Sequence, residues 1–341
     1  KLEIVCDLSP DRASQRATDL GFSRHTDKWQ DVVNDPKVEL ISVCTPNNTH
    51  SEIAISALKT GKHVWCEKPM SSSMEDSQKM AEASLNTNAK TIIGYNYTKN
   101  PIVIHAKEII EKGTIGRVSG FFCRYDVDNE ADGKKPWSWR MSKKLSGTGA
   151  NGDILSHVIS IAHYLTNSKI SRVVGDISII HNKRIDPKNS GKTKEVDNDD
   201  MVSALVHFEN GVHGHIGASR VSWGKKCGLT WEVHGTEGTI CYNQERLNEI
   251  KLFTRQQDSS TDGFRTILSG PDHPFYSSFL PNGGHGLGFM DVKICELQGL
   301  LNSIENDEPT WPSFIDGLAI EKVMESVDIS AINKKWISIK Y

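Results

Sequence analysis

Hydrophobic positions along the chain follow two regimes that change over near residue 115. Before it, short apolar runs alternate with amphipathic segments of helical period; after it, strands with period-two alternation dominate. The stretch from Val38 to Met70 displays the first regime best. Val38-Glu39-Leu40-Ile41-Ser42-Val43-Cys44 is an apolar, β-branched run that suits a strand buried on both faces. It stops at Thr45-Pro46-Asn47, where proline lacks the donor and fixes φ. Ile53, Ala54, Ala57 and Leu58 then share one helical face, with Gly61 as the C-terminal stop. His63-Val64-Trp65-Cys66 supplies a second strand, ending in Glu67-Lys68-Pro69. A strand–helix–strand unit of this kind builds a parallel sheet, and such sheets bind ligands beyond the carboxyl ends of their strands. Both polar turns lie at those ends. The chemistry is expected there.

The flanking pattern extends this plan. Residues 1–7 read as a buried strand ending in Asp7, followed by a helix with Ser9 at the cap, Pro10 just inside it and Gly21 at its end. A helix over 72–85, a strand over 90–95 and an amphipathic helix from Pro101 to Ile110, closed by Gly113, complete the first regime. The second regime predicts strands over 118–127, 171–181, 201–208, 211–219, 228–235 and 238–243. Glu209-Asn210-Gly211 and Gly235-Thr236-Glu237-Gly238 are hairpin signals between them. Helices are expected over 150–166, 290–305 and 315–330, and the polar stretches 183–198 and 256–264 as surface loops. The fold class is therefore α/β followed by α+β. The first domain covers 1–115; the second covers 116–341, has a large, mostly antiparallel open sheet, and its last helices pack back on the first.

Composition narrows the class. The 341 residues are enough for about two domains at roughly 100–200 residues each. A net charge of −3 with 24% charged residues is ordinary, and no concentrated basic face marks a nucleic-acid footprint. No apolar run approaches the roughly 18 residues that cross a bilayer, so no membrane partner is expected. The seven cysteines, Cys6, Cys44, Cys66, Cys123, Cys227, Cys241 and Cys295, form no CxxC or Cys/His ligand spacing. They read as reduced core thiols of a cytoplasmic protein. His213 and His215 alternate on one strand face without a matching cysteine or carboxylate cluster, so no metal is expected.

Three motifs carry candidate chemistry. A strand that ends in an acid and leads into a helix, as at Asp7, is how the second strand of a dinucleotide-binding fold looks, with the acid on the ribose hydroxyls. A simple turn carboxylate is the plain alternative. The strand and G-x-G-x-x-G turn that should precede Asp7 have no counterpart in these residues. Omitting the central strand would leave its neighbours unpaired, so a longer N-terminus is expected, which intact mass on the sample would test. Lys68 follows a strand and precedes Pro69, which aims its ammonium into a cleft unless it merely pairs with Glu67 at the surface. In Gly147-Thr148-Gly149-Ala150-Asn151-Gly152-Asp153-Ile154-Leu155-Ser156-His157 the glycines allow close backbone approach. Asp153 and His157 fall at i and i+4 on one helical face, a spacing that can tune a general base, form half of a metal site or make an intrahelical hydrogen bond.

Taken in order, Asp7, Thr45-Pro46-Asn47-x-x-His50, Glu67-Lys68-Pro69 and Gly152-Asp153-x-x-x-His157 resemble the Gfo/Idh/MocA family of nicotinamide-dependent oxidoreductases. The resemblance covers essentially the whole chain, including Trp311-Pro312-Ser313-Phe314-x-Asp316-Gly317 as the family's entry to its last helix. It implies a Rossmann-type NAD-binding domain and hydride transfer between a secondary alcohol and the nicotinamide. Lys68, Asp153 and His157 are the implied catalytic set, with His157 the general base, Lys68 on the developing alkoxide and Asp153 on a second hydroxyl. Asp7, Thr45, Pro46, Asn47, His50, Glu67, Lys68 and Asn96 would line the cofactor. An acid at Asp7 repels a ribose 2′-phosphate, so NAD is expected over NADP, although Arg12 is close in sequence.

Trp137-Ser138-Trp139-Arg140 and Gly286-Leu287-Gly288-Phe289 further resemble a subgroup acting on inositols and anhydrosugars such as levoglucosan. Trp139 and Arg140 would then contact a sugar or polyol substrate together with Lys68, Asp153 and His157, and Trp137 covers the sugar or pins a loop. His285, among glycines, reads as a loop residue. The exposed face of the large sheet is expected to pack against another copy, and the resemblance implies a homodimer or homotetramer. Two rival readings use the same fold: a sugar- or dinucleotide-sensing regulator without turnover, and an NAD-dependent glycosidase that releases an aglycone without net NADH.

Overall fold

The computed structural model describes residues 1–256 and 259–341; Gln257 and Asp258, within the expected loop 256–264, lie outside the described residues. The chain forms two compact units, Lys1–Gly94 with Leu300–Leu318, and Tyr95–Gly299 with Ala319–Tyr341. The division falls at Gly94 and not near 115. The residues between belong to the second unit because Asn100 anchors them there, donating from Nδ2 to the Tyr242 hydroxyl (3.1 Å) and the Leu247 carbonyl (2.9 Å).

In the first unit, strands β1 (Ile4–Cys6), β2 (Arg24–Thr26), β3 (Leu40–Val43), β4 (His63–Cys66) and β5 (Thr91–Ile93) alternate with helices α1 (Pro10–Leu20), α2 (Trp29–Asn34), α3 (Asn47–Lys59) and α4 (Met74–Leu85). All ladders are parallel, but they form two sheets, β1–β2 and β3–β4–β5. The local signals act as expected. Ser9 caps α1 by accepting the Arg12 N–H, Gly21 ends it at φ +77°, and Ser73 caps α4. Burial departs from expectation in both opening strands: β1 is half-buried, and in β3 Ser42 is exposed while Ile41 and Val43 are buried. A strand paired along one edge keeps part of its surface wet. Cys44 is exposed too, and only Cys66, Cys123 and Cys295 are buried, so the cysteines are thiols but not all core. The segment 300–318 closes this unit. The Pro312 carbonyl accepts from Ile93 N–H at 2.9 Å, and Thr310 Oγ1 donates to the Thr91 carbonyl at 2.6 Å.

The second unit opens with α5 (Pro101–Glu111) and β6 (Val118–Asp126), then α6 (Lys143–Ser146) and α7 (Ser156–Thr166). Strands follow: β7 (Ile170–Ser178), β8 (Lys183–Asp186), β9 (Asn189–Glu195), β10 (Met201–Phe208), β11 (His213–Ser219), β12 (Gly228–Gly235), β13 (Gly238–Asn243), β14 (Glu249–Thr254) and β15 (Arg265–Leu268). Helices α8 (Phe289–Glu305) and α9 (Phe314–Asn333) and strand β16 (Ile337–Ser338) end the chain. Nine strands make one sheet in the order β15-β14-β13-β12-β6-β11-β10-β7-β16, antiparallel except for the β6–β11 pair. Its inner face is built from every second residue, such as Phe121, Cys123, Ile216, Val206, Trp231 and Val233, all buried under α7 and its neighbours. The stretch 183–198, expected as a loop, holds the β8–β9 hairpin instead.

Candidate active site

In the first unit the expected residues gather at the carboxyl ends of the strands. Asp7, just past β1, accepts at Oδ1 from Ser9 N–H (2.8 Å) and from Arg12 Nε (3.1 Å) and Nη2 (2.9 Å). The Ser9 amide first, and the Arg12 guanidinium second, hold its carboxyl below the usual range, so it is an anion at neutral pH. No described residue bonds to its Oδ2, which leaves one acceptor for a ribose hydroxyl. Beyond β3, Pro46 stands at the N-cap of α3; its carbonyl accepts the Thr49 N–H at 2.8 Å, and no described residue bonds to the Asn47 and Asn48 amides, which suits an anion. Thr45 and Pro46 are exposed, and Thr49 Oγ1 reaches both the Thr45 hydroxyl and the Pro46 carbonyl at 2.7 Å. Beyond β4, Glu67 and Lys68 are half-buried; Glu67 N–H donates to the Val43 carbonyl at 2.9 Å and Lys68 N–H to Glu67 Oε2 at 3.3 Å. His50 departs from its expected role. Its ring is 1% exposed and its two nitrogens face the Thr45 and Pro69 carbonyls, so it supports the turns and leaves the cofactor lining to them.

In the second unit, Asn96 is 2% exposed, and its Nδ2 has no hydrogen-bond partner among the described residues. An open carboxylate oxygen, as at Asp7 in the first unit, is what a ribose hydroxyl complements. The residues of that unit therefore fit NAD.

Asp153 lies in a π-helical turn, Asn151–Leu155, and His157 in the first turn of α7. Such turns insert an extra residue into a helix and recur at functional sites. The expectation of one uniform helical face is thus modified: Asp153 is exposed, whereas His157 is 5% exposed. Tyrosine rings surround the imidazole. Tyr97 lies tilted by 33° at 4.5 Å between centroids, with Tyr95 edge-on at 5.4 Å and Tyr125 at 6.0 Å. The Tyr97 and Tyr125 hydroxyls bond to each other at 2.9 Å, and burial pushes both phenols up. An imidazole packed among three rings is held in one orientation.

The turn itself is tied down by residues that the sequence reading missed. Buried Asp199 accepts from Gly149 N–H (2.9 Å) and Asn151 N–H (2.7 Å), and its burial raises its pKa. Asn151 Nδ2 reaches the Met324 carbonyl at 3.0 Å and Asp328 at 2.9 Å. Next door, Arg220 Nε donates to Asp200 at 2.7 Å in a pair that is almost wholly buried. Asn198 Nδ2 and Arg220 Nη1 both donate to the Arg140 carbonyl, at 2.9 and 3.4 Å. The run Asn198-Asp199-Asp200 ahead of an apolar strand was the available signal, since three polar residues there need internal partners. This clamp presents Arg140 with its guanidinium 4.5 Å over the Trp139 ring, which is 42% exposed. Trp137 is pinned: its Nε1 donates to the Glu195 carbonyl at 3.0 Å, beneath Lys194. The His285 carbonyl accepts from Tyr276, and Phe289 flanks Tyr97 at 6.2 Å. The His213 ring lies against that of His207, tilted at 3.9 Å between centroids, and no cluster able to hold a metal occurs among the described residues.

Comparison with known proteins agrees with this arrangement. Residues 1–95 match the oxidoreductase family with an NAD-binding Rossmann fold, and residues 103–241 match the GFO/IDH/MocA C-terminal domain. A levoglucosan dehydrogenase of Pseudarthrobacter phenanthrenivorans is 34% identical, over 99% of this chain and 89% of its own length. A myo-inositol 2-dehydrogenase of Thermotoga maritima is 28% identical, over 93% of this chain and 84% of its own. A solved levoglucosan dehydrogenase in complex with NADH and levoglucosan superimposes with a TM-score of 0.95 at 34% identity, covering 100% of this chain and 90% of that one. The chain is an oxidoreductase of the Gfo/Idh/MocA family with an NAD-binding Rossmann domain.

Proposed function

We propose that this oxidoreductase oxidises a secondary alcohol of a sugar, anhydrosugar or inositol with NAD, the first unit holding the dinucleotide and the second the substrate. The observation that carries the reading is His157, a buried imidazole boxed by three tyrosines one turn beyond exposed Asp153. His157 takes the hydroxyl proton, and the Lys68 ammonium steadies the alkoxide charge as the carbonyl forms. Asp153 holds a neighbouring hydroxyl, and Trp139 with Arg140 offers a flat, charged face to a polyol. When bound, the nicotinamide supplies the hydride acceptor. Asp7, Thr45, Pro46, Asn47, Glu67 and Asn96 hold the dinucleotide. Asp7 opposes a ribose 2′-phosphate, and its pairing with Arg12 occupies the cation that would welcome one, which supports NAD over NADP.

Seven cysteines without a disulfide support a cytoplasmic location. The open face of the large sheet supports a homodimer or homotetramer. The decisive assay is NADH formation across inositols, hexoses and levoglucosan, with the Lys68→Ala protein beside the wild type. Turnover of one substrate, lost in the variant, is the expected result. Tight NAD binding with no turnover across the panel would favour a sensor, and aglycone release without net NADH a glycosidase.

A further inference from the structure

His50 lies in the first turn of α3, with both ring nitrogens against main-chain carbonyls. Nε2 is 2.8 Å from the Thr45 oxygen, and Nδ1 is 3.1 Å from the Pro69 oxygen. The first carbonyl belongs to the turn that ends β3, where the dinucleotide is placed; the second belongs to the turn that ends β4, next to Lys68. A carbonyl oxygen only accepts, so each contact needs hydrogen on its nitrogen, and both bonds are made together only by a ring carrying hydrogen on both nitrogens, the form the two-bond arrangement requires. A side chain that merely filled space would need no donor at either end. With its ring 1% exposed, His50 has no surface left for a ligand.

We propose that His50 is a positioning residue, a staple that makes the dinucleotide turn and the Lys68 turn move as one. Ordering the first turn around the cofactor then fixes the backbone that carries the Lys68 ammonium. The proposal rests on the reading of those two turns given above.

The two bonds can be removed separately, because an asparagine amide nitrogen stands where Nδ1 stands and a glutamine amide nitrogen where Nε2 stands. Wild type, His50→Asn, His50→Gln and Lys68→Ala are compared for NADH dissociation constant, for kcat at saturating NAD with the substrate the panel identifies, and for thermal midpoint. His50→Gln keeps the Thr45 bond; it is expected to bind NADH within about twofold of wild type and to lose about tenfold in kcat, the size of one hydrogen bond. His50→Asn keeps the Pro69 bond; it is expected to weaken NADH about tenfold while kcat falls by less than about threefold. If both variants shift the two constants in parallel, or lower only the thermal midpoint, His50 is a space filler and the staple is wrong. A wild type that binds no NADH, or a Lys68→Ala protein with full turnover, overturns the functional reading of the turns and the staple with it.

Discussion

Gly149 comes so close to the main chain at Asp199 that an added Cβ would collide with the Asp199 carbonyl, in a site with no room to give. Gly149→Ala is expected to cost about 1–3 kcal/mol, the usual range for overpacking, read as a lower denaturation midpoint at unchanged m. Asp199→Ala removes the acceptor for two buried amides, at about 1–3 kcal/mol for each donor left unmatched. It should also lower kcat, because the π-helical turn that carries Asp153 loses its anchor. Unfolding titrations and steady-state kinetics on one preparation check both effects; full stability in Asp199→Ala would show that water replaces the carboxylate. The glycines of 147–152 were readable in sequence as a place of close approach. What approaches them was not, since Asp199 lies 50 residues from Gly149 along the chain.

Helix α7 shows how an element's surroundings set the chemistry of its side chains. Near its end, His163 is 4% exposed and its Nε2 accepts the Ile170 N–H at 3.1 Å, which ties the helix to β7. Burial, with a smaller push from Lys169, moves its pKa down to about 3, so the folded state holds it neutral. Between about pH 6.5 and about 3 the unfolded chain takes up a proton that the folded chain refuses, and stability falls with pH by up to about 1.4 kcal/mol per unit. His163→Gln keeps an acceptor for Ile170 without a titrating ring and is expected to flatten that slope. Urea midpoints at a series of acidic pH values would show it, and an unchanged slope would mean that His163 is not the group responsible. Among elements, those with a buried face were legible. The β8–β9 hairpin was not, because an antiparallel ribbon outside the main sheet has no apolar alternation to betray it. Its visible ties include surface pairs such as Lys183–Glu195 at 3.1 Å and Lys194–Asp186 at 3.5 Å. Nor was the π-helical turn legible, since hydrophobic spacing over five residues cannot separate it from an α-turn.

At the scale of the whole molecule, alternation along the strands predicted a large sheet in the second unit, and the same alternation says what its other face carries. The ladders place Leu205 opposite His215, His215 opposite Phe122, and Phe122 opposite Glu232, so one row crosses β10, β11, β6 and β12 on the face away from α7. In that row Leu205 is 52% and Phe122 is 43% exposed, while Phe121, Cys123, Ala204 and Val206 on the inner face are buried. Covering two such side chains stabilises an interface by about 1.5–3 kcal/mol each when burial is complete. A lysine in the middle of a self-matched face would instead meet its own copy or the histidines around it and would have to be desolvated. Leu205→Lys is therefore expected to shift the protein from the proposed dimer or tetramer to monomer in analytical ultracentrifugation. The inner face, and with it the fold of each protomer, should be unchanged by circular dichroism. Wild type that sediments as a monomer at micromolar concentration would sink the homo-oligomer, and a Leu205→Lys protein that keeps its assembly state would move the interface to another surface.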